Sequence, residues 1–466
     1  MKRRLLQNDS YIQLVLLHIG LGLIFFIFKP FSKIFFLIIM GYFLYRIVMS
    51  TPSKLTMNVL LGCAYFTGIE ILFRMTKGGL AYEASKYLVV VFVLIGMFYR
   101  GVSGKGYAYF IYLVLLIPSI VVASVTLTLD AKFRSNITFV LSGPVCLGLA
   151  ALFCYDRKVT YQQLHKLILY ILLPIISTTT YLFLYTPSIK DRLSGTASNA
   201  ALSGGFGPNQ VSTILGLGIF CVVVRLVLKS PNVFLKSLNL ILLAAMTFRA
   251  IVTFSRGGVL AAGLVIAAFF ATVVFRLKVK RLVPLFGSVF LLVSILAITW
   301  VVSSNQTRGL IDKRYANQDA LGREKKDLTT GRLDLFIEEV DGFLESPFLG
   351  IGASRVKNKR VQETGQQLPS HNELGRLLSE HGILGIICIL ILVFKPLTLR
   401  TNNRRNIFFF SFLAFWFATI NHSGIRIAAP AVLYALALLN VTYDTSHNKR
   451  QIPNNRNAQP QIVSEQ

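Results

Sequence analysis

The sequence is poor in charged residues and poorest in acids. Only 15% of its 466 residues are charged, and 20 Asp and Glu residues stand against 48 Lys and Arg. Hydrophobic residues make up 54% of the chain, which is more apolar surface than a water-soluble fold can bury. The composition therefore excludes an ordinary soluble domain and predicts a polytopic membrane protein.

Motifs for nucleotide-driven or metal-dependent chemistry are also absent from the sequence. It contains no Walker A pattern, no Asp-rich metal motif near the outer face and no His or Cys cluster with ligand spacing. All five cysteines fall within apolar segments and form no plausible disulfide pair, so a packing role is expected. We expect no metal ion and no cofactor, and an activated donor has to bring its own leaving group.

What the sequence does contain is a long series of apolar windows. Windows of about 20 residues, the length that crosses a hydrocarbon core of about 30 Å, are centred near residues 20, 40, 65, 93, 118, 145, 174, 218, 243, 266, 291, 389, 414 and 434. They predict an all-α bundle of about 14 transmembrane helices. The first window has no small-residue cleavage site, so we expect a retained helix and not a signal peptide.

The basic residues are distributed as membrane topology requires. With the amino terminus in the cytoplasm, 24 of the 48 Lys and Arg residues fall in cytoplasmic segments. This positive-inside asymmetry predicts that both termini are cytoplasmic. Because topology accounts for the net charge of +28, we expect no nucleic-acid partner.

The windows divide the chain into four parts. Residues 1–302 are predicted to form helices 1–11 of a transmembrane bundle, and residues 383–443 helices 12–14. Between them, residues 303–382 are predicted to form a large loop on the outer side, with 12 basic and 12 acidic residues. Residues 444–466, rich in Asn, Gln and Pro, are expected to be a disordered cytoplasmic tail.

The large loop has its own helical pattern. Apolar residues recur at helical spacing between Leu333 and Leu344, with acidic residues among them, which predicts an amphipathic helix. The helix is expected to stop at Ser346-Pro347 and the turn Gly350-Ile-Gly352. We expect this segment to form a small helical cap on the outer rim of the bundle.

A second short helix in the loop carries a histidine, the residue that most readily takes up a proton near neutral pH. Ser370 and Glu373 fit a capping box, which assigns His371 to the first helical position. There the helix dipole should disfavour the imidazolium and keep the ring available as a base. The alternative is a solvated loop histidine, and His381 and His422 are expected to be structural.

Two arginines are candidate anion ligands. Arg256 lies in the tight turn Ser255-Arg256-Gly257-Gly258 between two apolar spans, and its planar guanidinium suits phosphate oxygens. The glycines are expected to let a substrate approach the backbone. Arg332, after Thr329-Thr330-Gly331, invites the same interpretation. The alternatives are a snorkelling arginine and a surface arginine at a helix start.

A glycine-rich turn at residues 203–209 ends in Asn209 and opens a further span. Such a turn offers backbone N–H groups to an anion at a helix start. The signal is weak, because turns of this composition are common.

Three motifs occur in a fixed order: Ser255-Arg-Gly-Gly258, Thr330-Gly-Arg332 before Pro347-x-x-Gly-x-Gly352, and His371-Asn-Glu-Leu374 running into Gly382-Ile-Leu-Gly385. Together they resemble the O-antigen ligase and polymerase superfamily of bacterial envelopes. The resemblance is specific from about residue 203 to 395. Phe336 is a departure, since many relatives have tryptophan a few residues after the arginine.

The resemblance implies a polytopic glycosyltransferase of the bacterial inner membrane that uses undecaprenyl-diphosphate-linked glycans on the periplasmic side. It implies that Arg256 and Arg332 hold the donor diphosphate while His371 assists the acceptor hydroxyl. Ser255, Asn209 and Asn372 are the further substrate-binding candidates within or beside these motifs. No metal is implied.

Several functions fit this pattern. The leading hypothesis is an O-antigen ligase that moves a polysaccharide to a lipid A core sugar with inversion, without a metal ion. The alternatives are a polymerase that uses the same donor, and transfer to protein hydroxyls. A transporter or lipid-linked-sugar flippase is a different class. It would require ionisable residues at mid-membrane depth or an internal repeat, whereas the predicted spans are nearly free of charge at mid-depth and the two halves of the chain show no repeat.

Overall fold

The computed structural model of the chain describes residues 2–128, 132–276, 282–325, 327, 331–365 and 370–443. Within these residues there are nineteen α-helices, three short 3-10 helices and two short strands. The predicted disordered tail, residues 444–466, lies outside the described residues, as do Thr329 and Thr330 of the second motif.

The helices follow one another along the chain with short links. The first half contains α1 (Lys2–Ile27), α2 (Phe31–Val48), α3 (Pro52–Thr76), α4 (Ala84–Arg100), α5 (Tyr107–Leu115), α6 (Pro118–Thr126), α7 (Phe133–Cys154) and α8 (Tyr161–Tyr185). The second half contains α9 (Pro208–Leu228), α10 (Val233–Ile251), α11 (Arg256–Val274), α12 (Leu282–Gln306), α13 (Leu310–Tyr315), α14 (Arg332–Glu345), α15 (Arg355–Thr364), α16 (Glu373–His381), α17 (Ile383–Asn402), α18 (Phe409–Ile420) and α19 (Ala428–Ala437). The 3-10 helices are Gly104–Gly106, Lys190–Arg192 and Ala201–Ser203.

The architecture confirms the predicted all-α membrane bundle. Among the described residues, eleven helices are long and apolar enough to cross a membrane. The windows predicted near residues 93, 414 and 434 correspond to α4, α18 and α19, which have 17, 12 and 10 residues. These three helices are shorter than the roughly 20 residues of a full span.

Local signals in the sequence fix several helix starts. Pro52, Pro118 and Pro208 each stand at the beginning of a helix, where the missing N–H costs nothing. At α8, Thr160 accepts from the backbone N–H of Gln163 and the Gln163 side chain accepts from the Thr160 N–H, which completes a capping box.

The core of the bundle is built around α3, α8 and α9. The apolar segments of α3 and α9 are 89% and 83% buried, whereas that of α12 is 17% buried. The first two therefore lie in the centre and α12 lies on the rim. α11 packs against both α9 and α18, and this arrangement places Arg256, its first residue, between two other helix ends.

The contact between α9 and α11 depends on glycine. A Cβ added to Gly258 would lie 2.2 Å from the hydroxyl oxygen of Ser212 and 2.3 Å from its carbonyl carbon. A Cβ on Gly216, one turn further along α9, would lie 2.6 Å from the Gly258 carbonyl oxygen. The backbones thus approach too closely for any side chain.

We expect Gly258→Ala to destabilise the protein by about 1–3 kcal/mol, because α11 has to move away from α9. The matched control is Gly263→Ala in the same helix, since a Cβ there has no neighbour within 4 Å and alanine is the better helix former. The measurement is the melting temperature of both variants in detergent. Equal melting temperatures would contradict the close packing.

The segment between α12 and α17 contains the helices α13 to α16 and is called the cap below. The predicted amphipathic helix is α14, which ends at Glu345, and Gly350 and Gly352 have the positive φ angles of 76° and 96° that a turn there requires. The Ala353 N–H donates to the Ser119 carbonyl at 3.0 Å, so the cap is joined to the start of α6.

Strands β1 (Lys158–Thr160) and β2 (Asn440–Thr442) pair in parallel, with Val159 opposite Val441. This ladder joins the start of α8 to the end of α19. The two halves of the bundle are therefore linked at the end away from the cap.

Candidate functional site

The first arginine motif forms a tight turn between α10 and α11. Phe254 has a left-handed backbone with φ of 58°, and Arg256 is the first residue of α11. Arg314 of α13 donates through its Nε to the Phe254 carbonyl oxygen at 3.2 Å. The turn is thereby held against the segment that follows α12.

Ser255 and Asn209 are in direct contact. The Ser255 hydroxyl donates to the Asn209 Oδ1 at 2.8 Å, and the Ser212 hydroxyl donates to the Ser255 carbonyl oxygen at 3.1 Å. Asn209 lies in the first turn of α9, after Gly204 and Gly205 with φ of 69° and 74°. The predicted glycine turn thus brings Asn209 beside the arginine motif.

The glycines of this motif have a different role from the one predicted. A Cβ on Gly257 would lie 1.9 Å from the Cδ2 of His422, and Gly258 faces Ser212. Both glycines are therefore needed for the packing of neighbouring protein groups. The expectation that they open the backbone to a substrate was wrong for Gly258, while Gly257 also borders the cavity described below.

The second motif places Arg332 at the start of α14. Gly331 precedes it with a left-handed φ of 76°. Burial, and then the positive charge of Arg256, lowers the pKa of Arg332. The two guanidinium groups therefore repel one another through a partly dry medium, an arrangement that an anion would relieve.

The capping box predicted for Ser370 and Glu373 was wrong. The N-cap of α16 is Asn372, whose Oδ1 accepts from the N–H groups of Leu374 and Gly375. Ser370 instead forms a turn, in which its hydroxyl donates to the Asn372 carbonyl oxygen at 2.8 Å. His371 consequently lies before the helix and not in its first turn, and the Oδ1 of Asn372 is engaged in the N-cap hydrogen bonds.

Glu373 is part of a buried ion cluster. Its carboxylate pairs with Arg376, which also donates to the Glu380 Oε2 at 2.8 Å. The other Glu380 oxygen accepts from the Ser354 N–H at 2.8 Å. The cluster fixes α16 to the turn before α15, because a broken buried pair would leave an uncompensated charge.

The segment before His371 is anchored by the loop between α18 and α19. Arg426 donates to the Ser370 carbonyl oxygen at 2.6 Å. Its own carbonyl oxygen accepts from Arg74 of α3 at 3.0 Å. Arg74 pairs with Glu70, whose Oε2 accepts from the Ala428 N–H at 2.7 Å.

Five of the residues predicted for the site border one cavity. The cavity has a volume of about 1110 Å³ and lies where the cap meets the ends of α9, α11 and α18. Arg256, Arg332, His371, Ser255 and Asn209 all line it, whereas Asn372 does not. Residues as far as 162 positions apart in sequence, Asn209 and His371, thus share a single space.

The sequence analysis missed two further residues that line this cavity, Arg314 and Lys325, and His422, which was expected to be structural, lines it as well. The cavity therefore has four cationic side chains, and none of the described residues that line it is acidic. The Nδ1–H of His422 donates to the carbonyl oxygens of Ala418 and Thr419, both at 3.2 Å. No local motif marks these residues, because only the tertiary fold brings them together.

The surroundings of His371 favour its neutral form. Burial, followed by the positive charges of Arg426 and Arg332, lowers its pKa to about 3. Among the described residues, no group forms a hydrogen bond with its buried Nδ1. The neutral ring can therefore accept a proton beside a cationic cavity. Its lowered pKa comes from burial and nearby arginines, and not from the helix dipole inferred from sequence.

The fold and this cavity define a multi-pass membrane protein with a cation-lined site beneath a helical cap. Residues 241–390 match the family model described as O-antigen ligase, and this segment contains Arg256, Arg332 and His371. The match confirms the resemblance to the O-antigen ligase and polymerase superfamily. No curated protein matches the chain.

Proposed function

We propose that the chain is an O-antigen ligase, which transfers a polysaccharide from undecaprenyl diphosphate to a lipid A core sugar. The cavity would face the periplasm of a bacterial inner membrane, with both termini in the cytoplasm. The observation that carries the proposal is the cavity itself, where the four cationic side chains of Arg256, Arg332, Arg314 and Lys325 converge.

The lining of the cavity has a cationic part and an apolar part, which match the two parts of a lipid-linked diphosphate. Its cationic residues suit a diphosphate, because guanidinium groups bind phosphate oxygens with paired donors. Leu260 and Leu264 of α11 also line it and are 65% and 47% exposed. An isoprenoid chain can cover these leucines while its diphosphate contacts the arginines.

The proposed transfer is a direct displacement at the anomeric carbon. The acceptor oxygen forms a bond to that carbon as the bond to the diphosphate oxygen breaks, so the configuration inverts. Negative charge develops on the leaving diphosphate, and the fixed cations stabilise it. The acceptor hydroxyl gives its proton to the neutral imidazole of His371.

The site would serve a polymerase equally well, because that reaction uses the same donor and differs only in its acceptor. The deciding experiment is to replace the gene in the native host by one encoding Arg256→Ala and to examine lipid A and the carrier-linked glycans. The expected result is that full-length polymer accumulates on undecaprenyl diphosphate. Cores that bear a single repeat unit would indicate a polymerase, and unchanged surface glycan would refute both.

The pH dependence of the reaction should differ between the free enzyme and the donor complex. Besides burial, nearby positive charges lower the pKa of His371. A bound diphosphate would offset them with its negative charge, so donor binding should raise this pKa. The acid limb of kcat, which reports the complex, is therefore expected at higher pH than that of kcat/KM, which reports the free enzyme. Coincident acid limbs in the two profiles would contradict the assignment.

A further inference from the structure

A second cationic pocket lies at the other end of the helices that form the cavity. α11 begins at Arg256 and has 19 residues, so at about 1.5 Å per residue it spans roughly 28 Å. Arg276 lies just beyond its end. The distance is close to the thickness of a hydrocarbon core, which places Arg276 at the opposite membrane surface.

The pocket is formed where the end of α11 meets the link between α17 and α18. It has a volume of about 570 Å³ and is lined by Arg276, Arg400, Thr401, Arg404, Arg405 and Tyr443. Four of these six residues are arginines, and no described residue of the lining is acidic.

Backbone carbonyl groups hold two of the arginines in place. The Arg276 guanidinium donates to the carbonyl oxygens of Arg404 and Arg405. Arg400 donates to those of Asn403 and Asn406, both at 3.0 Å. Because carbonyl oxygens carry only partial charge, these contacts order the side chains and leave their positive charge uncompensated.

Apolar side chains beside the pocket are exposed. Phe275, the residue before Arg276, is 89% exposed, and Phe410, whose ring lies against the Arg400 guanidinium, is 44% exposed. In a membrane such side chains contact acyl chains. A phosphate group at the arginines would therefore have an apolar surface next to it.

We propose that this pocket binds the phosphate headgroup of an anionic phospholipid. Basic pockets between transmembrane helices are suited to such headgroups, and the guanidinium groups supply paired donors to phosphate oxygens. A soluble phosphate could use the same donors, but it would leave the apolar side chains uncovered. The inference is independent of the glycan-transfer function, because it uses none of the residues of the first cavity.

The test is the affinity of the full-length protein in detergent for phosphatidylglycerol, measured by native mass spectrometry beside phosphatidylcholine. Removing two charges with Arg404→Gln/Arg405→Gln is expected to weaken phosphatidylglycerol binding about 30-fold, at about 1 kcal/mol for each arginine. The carbonyl groups that hold Arg276 remain in this variant. If the pair variant does not fold, Arg405→Gln alone is expected to weaken binding about fivefold.

The matched control is Lys54→Gln/Lys236→Gln. Both lysines are exposed and lie in the first turns of α3 and α10, at the same end of the bundle. Selective binding of phosphatidylglycerol that only the arginine variant loses would support the proposal. Equal losses in both pairs would reveal diffuse surface charge, and equal competition by glycerol phosphate would show that a soluble phosphate suffices. Either result would overturn it.

Discussion

Arg332→Gln is expected to lower the rate of glycan transfer about 10²–10³-fold, the cost of removing one fixed donor from a developing anion. Arg332 borders the cavity beside Arg256, Arg314 and Lys325, and its charge is not balanced there by any described acidic residue of the lining. Glutamine keeps most of the length of the side chain and removes the charge. The loss should therefore appear in both donor binding and turnover.

The measurement is the initial rate of transfer from a carrier-linked glycan by the purified protein. Arg332→Lys should retain part of the activity, because it keeps the charge and loses the planar fork. The matched control is Arg323→Gln in the same loop, whose side chain is 75% exposed and pairs with Asp319. A control loss as large as that of Arg332→Gln would contradict a specific role.

His371→Ala is expected to lower the rate of transfer about 10²–10⁴-fold, the usual contribution of a general base. The effect should fall on kcat, with little change in the affinity for the donor, because a neutral ring contributes no charge to diphosphate binding. The two residues can therefore be told apart, because replacement of Arg332 should lower both kcat and the affinity for the donor.

Added imidazole provides the check on that interpretation. If His371 acts as the base, a small diffusible base should restore part of the activity of His371→Ala, and it should leave Arg332→Gln unchanged. Absence of rescue, together with a lower melting temperature, would mean that the ring only supports the turn at Ser370 and Asn372.

The parts of the site that the sequence predicted are those with a local signal. Arg256 follows a break between two apolar spans, Arg332 begins an amphipathic stretch and His371 precedes a short polar helix. Each signal depends on a few neighbouring residues. The bundle was predictable for the same reason, since a span is recognised by its own length and polarity.

The remaining features depend on contacts between distant segments. His422 enters the cavity because Gly257, 165 residues earlier, has no side chain to exclude it. At α16, both Ser370 and Asn372 are good cap residues, and the sequence does not decide between them. Glu373 forms an ion pair with Arg376, so the capping box predicted from its spacing does not form.

The buried pair of Glu70 and Arg74 has a consequence for hybrid proteins. It supports the backbone at Arg426 and Ala428, yet it lies in the first half of the chain, outside the segment 241–390 that matches the family model. We therefore expect that replacing residues 241–390 alone with the matching segment of another protein would separate them from the residues that support Ser370. A hybrid that keeps every residue of the arginine and histidine motifs still needs a compatible α3, because Arg74 holds the Arg426 backbone and Arg426 holds the Ser370 carbonyl oxygen beside His371.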